Sequence, residues 1–196
     1  MLVKQIMLEK EMFFNEKNFF NYIFLLLVNN TSASIKDNIV NKLKDIENIS
    51  FDFEQNINGK IENGNCTIKY PKKIFCKYNS SNQKILVSNG KSLVIKTLSS
   101  YYHYSLKKTP LNLILNKNFL LEKISNLEER NINDQFVNYN FIENDNEINL
   151  FFDKNTFNLI GWQTIDIYQN ISITYLSSIK RNQKLKKNLF ILPEQN

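Results

Sequence analysis

The chain has 196 residues, 25 Lys and Arg against 19 Asp and Glu, and a formal net charge of +6, the size of one domain with or without a processed leader. One His, two Cys and four Gly exclude the usual zinc sites, make any Ser-His-Asp or Cys-His site depend on His103, and leave no glycine-rich phosphate loop. Fifteen Phe and nine Tyr beside three Pro point to a packed core, and the composition as a whole to a binding or structural module rather than an enzyme. Richness in Asn, Ile and Lys is also what a genome-wide codon bias produces, so the net charge alone is no warrant for nucleic acid.

In chain order, the first element is an apolar run from Phe19 to Val28, broken by Asn21. It is too short for a membrane-spanning helix. Thr31-Ser32-Ala33 follows, with Thr31 and Ala33 at the −3 and −1 positions of a signal-peptidase site, and residues 1–33 read as a cleaved secretory signal. Initiation at Met12 gives a more ordinary leader, and a buried core helix is the alternative. The segment carries three Lys and three Glu, so the mature chain, 34–196, keeps the charge of +6. Export would place it in an oxidising compartment.

Ser34 with Asp37 predicts a capping box, and Ile35, Ile39, Leu43 and Ile46 give the helix behind it one apolar stripe. From Ile49 the period changes to two, with Phe51 and Phe53 alternating with Asp52 and Glu54. Asn58-Gly59 marks a tight hairpin. A second hairpin turns at Pro71-Lys72, a third at Asn89-Gly90, and Tyr101 to Tyr104 lie on a further strand containing His103, read as a strand residue and not a ligand. Thr109-Pro110 predicts an N-cap and first turn for a short helix with Leu111, Ile114 and Leu115. Alternating strands are then expected around 133–142, 147–152, 159–167 and 171–178, with a last segment, Asn188 to Ile191, before Pro193. The pattern predicts a mainly β fold, one antiparallel sheet curled toward a barrel, with no second domain.

If Pro71-Lys72 joins antiparallel strands, Cys66 and Cys76 fall directly opposite each other, their Cα atoms about 4.5–5.5 Å apart. In an oxidising compartment they are expected to form a disulfide; two buried thiols is the other reading.

Phe53 and Gln55, Tyr70-Pro71-Lys72-Lys73-Ile74, Val87-Ser88-Asn89-Gly90-Lys91, Thr109-Pro110-Leu111 and Phe190-Ile191-Leu192-Pro193 occur in an order and spacing that resemble the LolA family of periplasmic lipoprotein carriers. The resemblance covers essentially all of residues 34–196. It implies an unclosed, strongly curved sheet of about eleven strands, a helical lid, and an apolar cavity for the acyl chains of triacylated lipoproteins. It further implies a LolCDE-type ABC transporter as donor in the inner membrane, a LolB-type acceptor in the outer membrane where one exists, a monomer, no cofactor and no catalysis. Where the family commonly places an Arg that holds the lid closed, this chain has Tyr70.

Alternation assigns Phe51, Phe53, Ile68, Tyr70, Ile74, Ile85, Val87, Leu93 and Ile95 to the inner face, and Ile35, Ile39, Leu43, Ile46, Leu111, Ile114 and Leu115 to a removable lid. The same residues serve equally as an ordinary core. The runner-up function is a lipid- or protein-sensing regulatory domain in the periplasm. The basic run Lys180-Arg181, Lys184, Lys186-Lys187 reads as a solvated face or as a contact for anionic headgroups or an acidic partner.

Overall fold

The computed structural model describes residues 33–128, 130–132, 135–165 and 169–195. The expected signal segment lies, except for Ala33, outside these residues. Helix α1 (Ile35–Lys44) begins as predicted: the Ser34 hydroxyl accepts from the Asp37 amide at 3.1 Å, and the Ser34 amide donates to the Asp37 carboxylate at 3.2 Å. Asp37 in the first turn and Lys42 and Lys44 in the last match the helix dipole. Ile39, Val40 and Leu43 are its buried side.

Six strands follow as a meander: β1 (Asn48–Ile57), β2 (Lys60–Lys69), β3 (Lys73–Tyr78), β4 (Ile85–Asn89), β5 (Ser92–Lys96) and β6 (Tyr101–Ser105). A 3-10 turn (Leu106–Lys108), α2 (Leu111–Ile114) and α3 (Lys117–Asn126) come next. The second meander is β7 (Arg130–Ile132), β8 (Phe136–Glu143), β9 (Asn146–Asp153), β10 (Leu159–Ile165) and β11 (Ile171–Arg181). All pairings are antiparallel in one eleven-stranded sheet, ordered β6-β5-β4-β3-β2-β1-β11-β10-β9-β8-β7. The two meanders join through β1 and β11, while β6 and β7 are free edges, so the sheet is curved but unclosed.

The turns explain themselves locally. Asn58 and Gly59 both hold positive φ, 48° and 89°, as a two-residue hairpin turn of the right twist requires. Two details differ from expectation. Thr109 does not cap α2; its hydroxyl donates to the Leu106 carbonyl at 2.9 Å and closes the preceding turn, leaving Pro110 at the cap position. The last segment forms no strand: after β11 the chain turns at residues 187–190 and continues without ladder pairing, so Phe190 and Leu192 are half-buried by contact rather than by a sheet register.

Cys66 and Cys76 pair across β2 and β3 and are joined in a disulfide, Cα atoms 4.1 Å apart. Reducing it, or replacing both Cys by Ser, is expected to lower stability by about 2–3 kcal/mol through the freed short loop. Urea denaturation with and without reductant measures this, and an unchanged midpoint would contradict it.

Two residues away, Gly64 sits between Phe53 on β1 and Tyr78 on β3. With no side chain on the middle strand, those two rings meet over it edge to face, 5.0 Å between centroids. The inner face of the second meander is wholly apolar where it meets the helices: Val137, Tyr139, Ile148, Leu150 and Phe152 are buried there.

Candidate functional site

Between the concave face of the sheet and the helices lies a cavity of about 200 Å³. Its wall comes from both meanders. Phe53, Cys66, Ile74, Cys76, Leu86 and Leu93 supply one side and Trp162 the other, while Pro110, Leu111 and Ile114 form the roof. A polar rim follows: Gln55, Tyr78, Thr109, Thr164, Ser172 and Thr174. There Gln55 is held from two strands. Its amide nitrogen donates to Ser172 Oγ at 3.1 Å and Thr174 Oγ1 at 3.2 Å, and Tyr78 donates to its amide oxygen at 3.3 Å.

Among the described residues no charged side chain lines the cavity. Burial, helped by the Glu62 carboxylate, pushes the Tyr78 phenol above its ordinary range, so the rim offers neutral donors and acceptors around an apolar pit. Such a lining can bury hydrocarbon and orient an attached amide or ester; it holds no group poised for proton transfer at neutral pH.

The predicted inner-face residues divide. Phe53, Ile74 and Leu93 line the cavity. Phe51, Ile68 and Tyr70 face inward but are packed in the core cluster beneath the helices, and Ile95 lies inward and half-buried toward the edge. Ile85 and Val87 are on the other face. The β3–β4 register pairs Cys76 with Leu86 and Ile74 with Ser88, which turns Leu86 and Ser88 inward and Ile85 and Val87 outward. A one-residue slip in assumed register inverts every side chain of a strand. The residues that alternation missed are Gln55, Tyr78, Leu86, Trp162, Thr164, Ser172 and Thr174; Trp162 with Thr164 and Ser172 with Thr174 share one face of their strands, but nothing local marks that face as part of a cavity.

Of the residues predicted for the lid, Ile39, Leu43, Ile46, Ile114 and Leu115 are buried in the core cluster, with Ile35 and Leu111 packed against it. Its roof also uses Leu113, Leu120 and Ile124. Polar ties fasten the helices at one end of the sheet. The Lys72 amide donates to the Leu115 carbonyl at 2.8 Å. The Lys117 ammonium donates to the carbonyls of Lys44 and Ile46, both at 2.9 Å, closing the C-terminal end of α1 onto α3. Asn182, just past β11, donates to the Asp45 carbonyl at 2.9 Å.

Tyr70 does not replace the charged latch. Its phenol is buried, pushed above its ordinary range by desolvation alone, and finds no hydrogen-bond partner among the described residues. Tyr70→Phe is therefore expected to raise stability by about 1 kcal/mol, because it removes an unsatisfied buried hydroxyl. A lower denaturation midpoint in the Phe variant would show instead that the hydroxyl is paired.

A lidded, unclosed half-barrel with an apolar pit is thus what the chain builds. The sequence model of the family described as outer membrane lipoprotein carrier protein LolA matches residues 44–192, and the chain belongs to that family. Among solved structures it is similar to a LolA-superfamily protein from Nitrosomonas europaea (9% identity, TM-score 0.44, 82% of this chain and 99% of that one). It is also similar to the lipoprotein LppX of Mycobacterium tuberculosis (10%, 0.43, 76% and 94%). A third is MucB (8%, 0.45, 83% and 64%), known in complex with MucA of Pseudomonas aeruginosa. Among curated proteins the sequence finds no match. None of the described helices is long and apolar enough to cross a membrane.

Proposed function

We propose that the protein is a periplasmic carrier, exported by the signal in residues 1–33, that shields the acyl chains of lipoproteins between an inner-membrane ABC transporter and an outer-membrane acceptor. The observation that supports this reading is the apolar pit roofed by helices that belong to no strand pairing. Each methylene buried there contributes about 0.8 kcal/mol, so even part of one acyl chain binds well. The cavity of about 200 Å³ is smaller than the roughly 300–1,000 Å³ of sites that enclose a whole ligand. Loading therefore requires the roof to move, and the cost of moving it lowers the net affinity to a level from which release is feasible. In the loaded state the acyl chains take the place of Leu111 and Ile114 against Phe53, Ile74, Leu93 and Trp162. The rim of Gln55, Tyr78 and Ser172 faces the ester and amide groups of the lipid-modified residue.

Mass spectrometry of material that co-purifies with the protein tests the cavity: acylated peptide or phospholipid is the expected finding. Depletion tests the route. Lipoproteins destined for the outer membrane should accumulate at the inner membrane, and correct sorting after depletion would refute the carrier reading.

A further inference from the structure

The net charge of +6 conceals a segregation. Residues 63–121 contain ten Lys and no Asp or Glu, although the whole chain has 19 acidic residues. This stretch runs from β2 through β3, β4, β5 and β6 to the roof helices, so this lateral half of the sheet is strongly cationic; the carboxylate that reaches it, Glu62 near the start of β2, is paired with Lys60 and Lys84.

The fold gathers six of these lysines at the end of the sheet where the lid is tied down. Lys69 and Lys73 are cross-strand partners flanking the β2–β3 turn. Lys72, at the tip of that turn, reaches the β4–β5 turn: its carbonyl accepts from Ser88 Oγ at 3.0 Å, and its Cβ would lie 3.9 Å from a Cβ on Gly90. Lys91 follows Gly90, and its carbonyl accepts from the Leu106 amide at 2.9 Å, which brings Lys107 and Lys108 alongside. Five of the six are exposed and Lys72 is half-exposed. Among the described residues none of them pairs with a carboxylate. Glu47, beside Lys69 at the margin of the patch, is the acidic residue near it.

We propose that this lysine-bearing end is a docking surface for a membrane rich in anionic phospholipid, bringing the tied end of the lid against the bilayer. The residues between the lysines argue for headgroups over an acidic protein. They are Pro71, Asn89, Gly90, Ser92, Ser105 and Asn116, whereas a protein interface centres on buried aromatic or aliphatic anchors with charges at its rim. Of the exposed large hydrophobic residues among the described ones, Leu98 sits in the β5–β6 loop at the other end of that hairpin, while Tyr104, next to Ser105 and opposite Leu93, adjoins the patch and stacks on Tyr102. Lysines on several turns, with an exposed tyrosine pair at their margin and no apolar anchor among them, suit a diffuse negative surface, where each lysine contributes additively, salt screens the sum and tyrosine rings sit at headgroup level.

Vesicle flotation tests this with purified protein on phosphatidylcholine alone and on phosphatidylethanolamine with phosphatidylglycerol at about 3:1, at low and high salt. The expected result is binding to the anionic vesicles only, abolished by high salt. Changing Lys73, Lys91, Lys107 and Lys108 to Gln should lower partitioning by on the order of 100-fold or more. The same number of Lys→Gln changes at 180, 184, 186 and 187 should lower it much less. Equal losses from the two sets would show that total charge is responsible and overturn the assignment. Failure to bind anionic vesicles at low salt would overturn it outright, whatever acidic protein the patch then proved to meet. Retention of an acylated peptide, measured on the same variants, should be unchanged, so a failed carrier reading and a failed docking surface are told apart.

Discussion

Ile39→Asp is expected to detach α1 from the sheet and to abolish retention of acylated cargo. Ile39 is fully buried at the centre of the lid contact. Removing such a side chain alone costs about 2–5 kcal/mol, and an unpaired carboxylate in its place adds several more. The chain has a way to limit that loss. Because α1 pairs with no strand, it can swing out and hydrate the carboxylate, so the measured destabilisation is capped at the free energy of docking α1. Urea denaturation should therefore show a loss of about 4 kcal/mol or less, with hydrogen exchange protection lost in α1 and kept in the β1–β11 ladder. Undiminished retention of an acylated peptide would sink the assignment of α1 as a lid.

Gly64→Ala should have an effect of similar size by a different cause. A Cβ at Gly64 would lie 2.1 Å from the Lys77 carbonyl oxygen and 2.9 Å from the Tyr78 Cα. Neither is a flexible side chain, so β2 and β3 must separate locally, beside a disulfide that opposes their separation. A cost of about 3 kcal/mol or more follows from such overpacking. Gly59→Ala is the comparison: nothing lies within 4 Å of its Cβ, and only the positive φ of 89° is strained, for roughly 1 kcal/mol. Thermal or urea unfolding of the two variants should rank Gly64→Ala far below Gly59→Ala, and the reverse order would disprove the packing argument.

The sequence made some parts of this structure legible and hid others for physical reasons. Ser34 with Asp37 located the first helix because a capping box is a local interaction between residues three apart. The Cys66–Cys76 pairing was readable because one short turn fixes the register of both strands around it. Ile85 and Val87 were placed on the wrong face because the β3–β4 connection is longer. Residues 79–84 form an irregular loop closed by Lys84 stacking on the Tyr78 ring, 4.0 Å from its centroid, and no count of residues across such a loop predicts which side chains turn inward. The far wall of the cavity escaped for another reason. Trp162, Thr164, Ser172 and Thr174 meet Phe53 and Gln55 only through the β1–β11 pairing, which joins residues more than a hundred positions apart. A mixed apolar and hydroxyl face on β10 and β11 carries no local sign that it completes a pit begun on β1. The lid was legible as apolar stripes, but its fastening was not: the ties run through backbone carbonyls of Leu115, Lys44 and Ile46, which every residue type possesses.

The seam between β6 and β7 has a consequence for the continuity of the chain itself. The segment that bridges the two edge strands, from Leu106 past Asn126, contributes helices but no rung to the ladder. The two meanders are held together by β1 on β11, one strand from each half of the sequence. A peptide bond broken within the bridge would leave every strand pair intact and the two fragments bound as a complex. It would free the roof from one half of the sheet while the wall of the pit stayed whole.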